Sequence, residues 1–135
     1  MRYFDLQVNG YAGIDFNSEN LTTEQVKIAC SALEADGNEG ILATVITDSV
    51  EEMKAKIRRI VQARDEDHVV RRIVVGFHIE GPFLNPAGGF IGAHRPDKTQ
   101  PATVDVMKDL MEAAEGLTRI VTLAPECDGG LATTR

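Results

Sequence analysis

Apolar and polar positions along the chain follow two periods in turn, one typical of strands and one typical of helices. Strand-like patterns cover residues 3–8, 40–47, 72–79 and 119–124. The second of these is apolar nearly throughout, which indicates a strand covered on both faces. The third is the strongest strand pattern in the chain, and it runs directly into Glu80-Gly-Pro82.

Three amphipathic helices are predicted between these strands. Each begins at a residue whose side chain can cap a helix N terminus, namely Thr22, Ser49 and Thr103. Apolar residues then recur at helical spacing in all three: Val26, Ala29, Cys30 and Leu33; Met53, Ile57, Ile60 and Val61; Val104, Met107 and Met111. Gly37, a polar stretch over 64–67 and Gly116 end them, and His68 is expected to be exposed in a connector.

The resulting order, βαβαβαβ, predicts an α/β fold with a parallel sheet and right-handed crossovers. A doubly wound sheet and a (β/α)8 barrel both have this order. The length of 135 residues fits one domain. A Gly/Pro-rich loop of about 20 residues follows the third strand, and such a long loop inside a compact domain is usually functional.

Polar residues collect where the strands end, which is the edge where ligands bind in both architectures. Strict alternation places Asp5, Gln7 and Asn9 on one face of the first strand and Leu6 and Val8 on the other, and it groups Gly76, His78 and Glu80 in the third. A carboxylate at the end of an apolar strand is costly to desolvate without a cation or donors. Glu80 is therefore a candidate metal ligand, or else pairs with a Lys or Arg or caps the next loop.

Two histidines near this edge are further candidates. His94 lies in the loop with Gly88, Gly89 and Gly92, where it can contact a ligand or simply be solvated. His78 is better interpreted as a hydrogen-bonded core residue or a support for Glu80 than as a ligand.

Composition excludes several classes of function. The net charge of −7 and the absence of a basic cluster argue against nucleic acid and anionic membranes as partners. No apolar stretch is long enough to span a bilayer and no leader pattern precedes the first strand, so a cytoplasmic protein is expected. The two cysteines have no metal or disulfide spacing, and Cys30 is interpreted as a small buried apolar residue. No nucleotide-binding or GxSxG motif is present.

Three motifs resemble those of the N-acetylglucosamine-6-phosphate deacetylases, members of the amidohydrolase superfamily. They are Phe4-Asp-Leu-Gln-Val-Asn-Gly10 with Gly13 and Phe16-Asn17; Gly76-Phe-His-Ile-Glu-Gly-Pro-Phe-Leu-Asn85 with Gly92-Ala-His94; and Val121-Thr-Leu-Ala-Pro-Glu126. The resemblance implies a (β/α)8 barrel, usually accompanied by a small β-sandwich. It also implies metal-dependent hydrolysis of N-acetylglucosamine 6-phosphate to glucosamine 6-phosphate and acetate.

The resemblance also assigns roles to particular residues. Glu80 would be a ligand of one divalent ion, zinc or iron, and Ala93 and His94 would contact the sugar phosphate. Gln7 and Asn9 stand where many amidohydrolases carry a His-x-His pair. Carboxamides bind zinc and iron poorly, so a single-metal site is implied, with these two residues near water or substrate. The family's two histidine ligands and its acid–base aspartate are expected after Arg135, so no catalytic residue is assigned here.

On this basis residues 1–135 are expected to form one partial domain, half a barrel of about four parallel strands and three helices without the sandwich. Alone, it is expected to be inactive, to bind metal weakly and to associate through its open edges; the full-length enzyme is expected to be a homo-oligomer. Two alternatives remain open. One is a deacetylase of another N-acyl amino sugar, and the other is a non-catalytic α/β module.

Overall fold

Four parallel strands form the central sheet in the computed structural model, which describes residues 3–135. They are β1 (Tyr3–Val8), β4 (Asn38–Ile46), β5 (Val74–Glu80) and β6 (Thr118–Thr122). A two-stranded antiparallel hairpin, β2 (Gly10–Tyr11) with β3 (Ile14–Asp15), lies in the stretch predicted to be a loop. The sheet order is β1-β4-β5-β6, so the four strands lie side by side in the order in which they occur along the chain. This order contains no reversal of the kind that defines a doubly wound sheet.

Helices connect the strands and begin where capping residues predict. They are α1 (Thr23–Ala35), α2 (Val50–Glu66), α3 (His68–Ile73) and α4 (Val104–Ala113). Thr22 forms a complete capping box with Gln25, Ser49 accepts the amide proton of Glu52, and Thr103 accepts that of Val106. Short 3-10 turns lie at Pro96–Lys98, before α4, and at Pro125–Cys127 and Gly129–Leu131, after β6.

The short helix α3 corrects the prediction of three helices and of a strand beginning at residue 72. The carboxylate of Asp67 accepts the backbone N–H groups of Val69 at 2.7 Å and Val70 at 3.2 Å. This cap starts a new helical turn, which continues through Ile73 before β5 begins. His68 is exposed, as predicted, although it lies in this helix.

The core lies between the sheet and the helices. Its largest fully buried side chains include Phe16, Phe77, Leu33, Ile57 and Leu110. The apolar stripes predicted for α1 and α2 are buried as expected.

Helix α4 faces the core differently from the prediction. Met107 is buried, but Val104 and Met111 are exposed, and Leu110 and Ala113 take their place. Apolar residues occupy two overlapping stripes of this helix, so spacing alone did not select the buried one.

The alternation predicted for β1 is wrong between Asp5 and Val8. Leu6 is 53% exposed whereas Val8 is 5% exposed, although the prediction placed them on the same face. The pairing with β4 shifts here, since Asp5 is opposite Ile41 and Val8 is opposite Ala43. Three residue steps on β1 thus match two on β4, and this irregularity re-aims the intervening side chains.

Candidate functional site

The candidate site lies where the parallel strands end, around the carboxylate of Glu80, the last residue of β5. Gln7 on β1 donates from Nε2 to Oε2 of Glu80 at 3.3 Å. Nε2 of His94, in the long segment after β5, lies 3.5 Å from Oε1 of the same carboxylate. The side chains of Glu80 and His94 are each 18% exposed. Three residues separated by up to 87 positions are therefore brought together at this edge of the sheet.

The main chain at Glu80 and Gly81 is held on both sides, by Thr47 directly after β4 and by Thr122 at the end of β6. The hydroxyl of Thr47 donates to the carbonyl oxygen of Glu80 at 3.1 Å, and the amide of Gly81 donates to the carbonyl oxygen of Thr122 at 2.9 Å. Gly81 has φ +87°, and a Cβ atom there would lie 2.0 Å from Oγ1 of Thr47. Glycine is therefore required at the turn that follows the carboxylate.

His78 is a hydrogen-bonded core residue, as predicted. The imidazole is 6% exposed, and its Nε2 lies 2.7 Å from Oγ1 of Thr122. Thr122 is the residue of β6 that pairs with Glu80 in the sheet register. The contact therefore joins β5 to β6 directly beneath the candidate site.

Asn9 and Ala93, the other two predicted contact residues, are exposed. Asn9 precedes the β2–β3 hairpin, and its carbonyl oxygen accepts the amide proton of Phe16 at 2.9 Å. Within residues 3–135, no hydrogen bond or ion pair joins either side chain to Glu80. Both flank the site along the chain without contributing to its present polar contacts.

Sequence reasoning missed the role of Asn17. Its side chain donates to the carbonyl oxygen of Thr44 at 3.0 Å and accepts the amide proton of Ile46 at 2.9 Å. The amide thus takes the place of a strand residue beside the end of β4, after β1 has ended. The only sequence feature that pointed to this role is that an asparagine, which can both donate and accept hydrogen bonds, lies in a loop between a strand and a helix.

A second missed feature is the ion pair of Asp48 and Lys56. Lys56 lies on the core side of α2 with a side chain only 5% exposed, and its Nζ donates to Oδ2 of Asp48 at 2.7 Å. Burial acts to raise the pKa of Asp48, but the Lys56 ammonium and the amide of Ser49 together hold it below its usual range. The sequence signal was an aspartate directly after an apolar strand.

The donors present fit part of a metal centre. A carboxylate and an imidazole suit zinc or iron, whereas the carboxamide of Gln7 is a poor ligand for either. A catalytic zinc usually has about three protein ligands. Among residues 3–135, no group of three His, Cys, Asp or Glu side chains is placed to hold an ion. Glu80, with His94 beside it, therefore supplies an incomplete ligand set.

The remaining predictions about chemistry and location concern Cys30 and the membrane. Cys30 is fully buried, which confirms that it is a core residue, and burial raises the pKa of its thiol to about 12. No helix in the described part of the chain is long and apolar enough to cross a bilayer.

Comparison with known proteins confirms the resemblance seen in the three motifs. No family model matches the chain. It is 32% identical over 126 residues to an N-acetylglucosamine-6-phosphate deacetylase of Bacillus subtilis (strain 168), covering 92% of this chain and 31% of that protein. It is 33% identical over 124 residues to an N-acetylgalactosamine-6-phosphate deacetylase of Shewanella sp. (strain ANA-3), covering 92% of this chain and 30% of that protein.

Solved structures agree with this result. The crystal structure of N-acetyl-D-glucosamine-6-phosphate deacetylase from Mycobacterium smegmatis matches 97% of this chain with a TM-score of 0.80 and 27% identity. A variant of that enzyme in complex with N-acetyl-D-glucosamine-6-phosphate matches with a TM-score of 0.81. The chain covers 35% and 32% of these two structures, and it spans about a third of the length of the curated relatives.

Proposed function

We propose that this chain is part of a metal-dependent deacetylase that converts N-acetylglucosamine 6-phosphate to glucosamine 6-phosphate and acetate. The observation that carries the proposal is the convergence of Gln7, Glu80 and His94 at the ends of the strands. The same three residues lie in the motifs that resemble the deacetylases, and the relatives are named for this reaction. A phosphosugar does not readily cross a membrane, so we place the reaction in the cytoplasm.

Glu80 is the metal ligand in this proposal. Its carboxylate lies at the end of a buried strand, and its backbone is held by Thr47 and Thr122, so it is pre-positioned for a cation. A zinc or iron ion bound there would polarise the amide and activate a water molecule. The other ligands and the acid–base carboxylate come, in this proposal, from residues outside this chain.

His94, Ala93, Gln7 and Asn9 form the substrate-binding group. The Nε2 atoms of His94 and Gln7 lie next to the two different oxygens of the Glu80 carboxylate. In this proposal both nitrogen atoms are close enough to the ion to donate hydrogen bonds to a polar substrate bound there. Ala93 and Asn9 are exposed on the segments that flank these two side chains, where a sugar phosphate can reach them. The roles of His94 and Gln7 rest on their nitrogen atoms beside one carboxylate, and those of Ala93 and Asn9 rest on their exposure in the flanking segments.

The sheet is proposed to be half of a (β/α)8 barrel. Its strands are parallel and in sequential order, and its helices cover one face. Phe4 and Leu6 on the edge strand β1 are 54% and 53% exposed, as expected if further strands cover them. We therefore expect the 135-residue chain alone to self-associate and to release no acetate, and the full-length protein to be a homo-oligomer.

An N-acetylgalactosamine 6-phosphate deacetylase is the second candidate. The identity to the Shewanella enzyme for that sugar is as high as the identity to the Bacillus enzyme. The two substrates differ only in the configuration of one hydroxyl group, which a single hydrogen bond can distinguish.

Acetate release from both sugar phosphates, measured with the full-length protein and added zinc or ferrous ion, tests the proposal. We expect turnover of N-acetylglucosamine 6-phosphate and a loss of at least 100-fold in Glu80→Gln. Glu112→Gln is the control, because it makes the same chemical change at an exposed position on α4. Faster turnover of N-acetylgalactosamine 6-phosphate would favour the second candidate. No turnover of either sugar phosphate would support a non-catalytic module.

Direct metal binding separates the role of Glu80 from the chemistry. Calorimetric titration of zinc into the full-length protein is expected to show one ion per chain, with affinity reduced at least tenfold in Glu80→Gln and unchanged in Glu112→Gln. Equal zinc affinity in all three proteins would contradict the ligand assignment.

A further inference from the structure

The segment over residues 86–99 carries His94 but is attached to the body of the protein at few points. Its hydrogen bonds and ion pairs are otherwise local, joining residues no more than four positions apart. Within residues 3–135, two polar contacts reach beyond this neighbourhood. One joins His94 to Glu80 at 3.5 Å, and the other joins Nζ of Lys98 to Oδ1 of Asp48 at 3.9 Å.

Asp48 is held in position by contacts that do not involve Lys98. It follows β4 directly after Thr47, and Ile46 of this strand is the register partner of Glu80. Its Oδ1 accepts the amide proton of Ser49 at 2.8 Å, and its Oδ2 accepts the buried Lys56 ammonium at 2.7 Å. Two hydrogen-bond donors and the Lys98 ammonium, in an ion pair, therefore converge on one carboxylate beside the candidate site.

The surroundings of the carboxylate favour a role beyond a surface ion pair. The side chain of Asp48 is 15% exposed and that of Lys98 is 28% exposed, so both charges are partly shielded from water. A partly buried pair is screened less by salt than an exposed one. Lys98 is only four residues from His94, so holding Lys98 restricts where the imidazole can lie.

We propose that Asp48 is a positioning residue, which holds segment 86–99 through Lys98 and thereby keeps His94 beside Glu80. The consequence for substrate binding rests on the proposed function of His94. The mechanical role does not, because it concerns the arrangement of the chain without metal or substrate.

Lys98→Met tests this role more cleanly than a change of Asp48. Removing the carboxylate would leave the buried Lys56 ammonium without its partner and destabilise the whole fold. Lys98→Met removes only the contact to the segment. Lys98→Arg retains the positive charge and serves as the rescue variant, and Lys108→Met makes the same substitution at an exposed position on α4.

Hydrogen–deuterium exchange of the full-length protein, measured without metal or substrate, is the first readout. We expect peptides covering 86–99 to exchange about two- to fivefold faster in Lys98→Met, the range of a weak ion pair, and at the wild-type rate in Lys98→Arg and Lys108→Met. The second readout is the ring resonance of His94, which should shift in Lys98→Met while that of the remote His68 does not.

Unchanged exchange and an unchanged His94 resonance in Lys98→Met would overturn the proposal. Faster exchange over the whole chain would also overturn it, because this would indicate global destabilisation instead of release of one segment. Neither result depends on acetate release, so failure of this inference is distinguishable from failure of the proposed function.

Discussion

Substitution of Gly81 by alanine tests how the main chain after Glu80 is held. At φ +87°, a residue with a Cβ atom costs about 1–2 kcal/mol more than glycine. The new Cβ would also lie 2.0 Å from Oγ1 of Thr47, so that hydroxyl must move and lose its hydrogen bond to the carbonyl oxygen of Glu80, about 1 kcal/mol. We therefore expect Gly81→Ala to lower the free energy of unfolding by about 2–3 kcal/mol.

Thr47→Ala provides a matched control for the steric part of this effect. Alone it removes the hydroxyl and is expected to cost about 1 kcal/mol. In the double variant the nearest remaining Thr47 atom is its Cβ, 3.2 Å from the added Cβ, which requires only a small adjustment. The double variant should therefore lose about as much stability as Gly81→Ala alone, less than the sum of the two single losses.

Urea unfolding followed by circular dichroism measures all three variants against the wild type. The comparison is valid only if the dependence on urea, the m-value, stays constant, because a changed m-value indicates altered unfolding. A Gly81→Ala protein within about 0.5 kcal/mol of the wild type would refute the reasoning. Strictly additive losses in the double variant would refute the assigned contact between Gly81 and Thr47.

Three further outcomes are expected. Thr22→Ala removes the cap of α1 and should cost about 1 kcal/mol in thermal unfolding; an unchanged melting temperature would contradict the capping box. Ellman's reagent at pH 8 should label Cys127 well before Cys30, whose pKa is raised to about 12 by burial; simultaneous labelling would contradict that burial. The Val70 amide and other donors lower the pKa of Asp67, so this group's stabilisation is present above pH 4 and lost as pH falls through the lowered pKa. Asp67→Asn should flatten the fall in stability measured between pH 5 and pH 2, and an equally steep fall would contradict the assignment.

Local sequence patterns predicted the four strands of the sheet, the caps of α1, α2 and α4, and most of the buried helix faces. Thr22, Ser49 and Thr103 begin helices because a side-chain oxygen satisfies a nearby amide, which is a short-range effect. Spacing failed for α4, where Met111 is exposed and Leu110 is buried. The choice between two apolar stripes depends on what the sheet offers to pack against, and no local pattern contains that information.

Some residues of the candidate site could likewise be identified from local sequence features, and others could not. Glu80, Gln7 and His94 could be named from sequence because motifs and strand ends mark them. The parts played by Asn17 and Asp48 could not, because each depends on partners distant along the chain, such as Thr44 and Lys98. Long-range polar contacts of this kind have no periodic signature in the sequence.

The sequence by itself determined the order of the four sheet strands and of helices α1, α2 and α4, the residues proposed for the candidate site and the family it resembles. The tertiary structure alone decided that β1 shifts its register between Asp5 and Val8, which leaves Leu6 exposed beside Gln7. It also decided that Gln7 donates to one oxygen of Glu80 while His94 lies beside the other. The physical reason is that hydrophobic periodicity and capping act within a few residues, whereas register and side-chain convergence depend on how distant strands pack together.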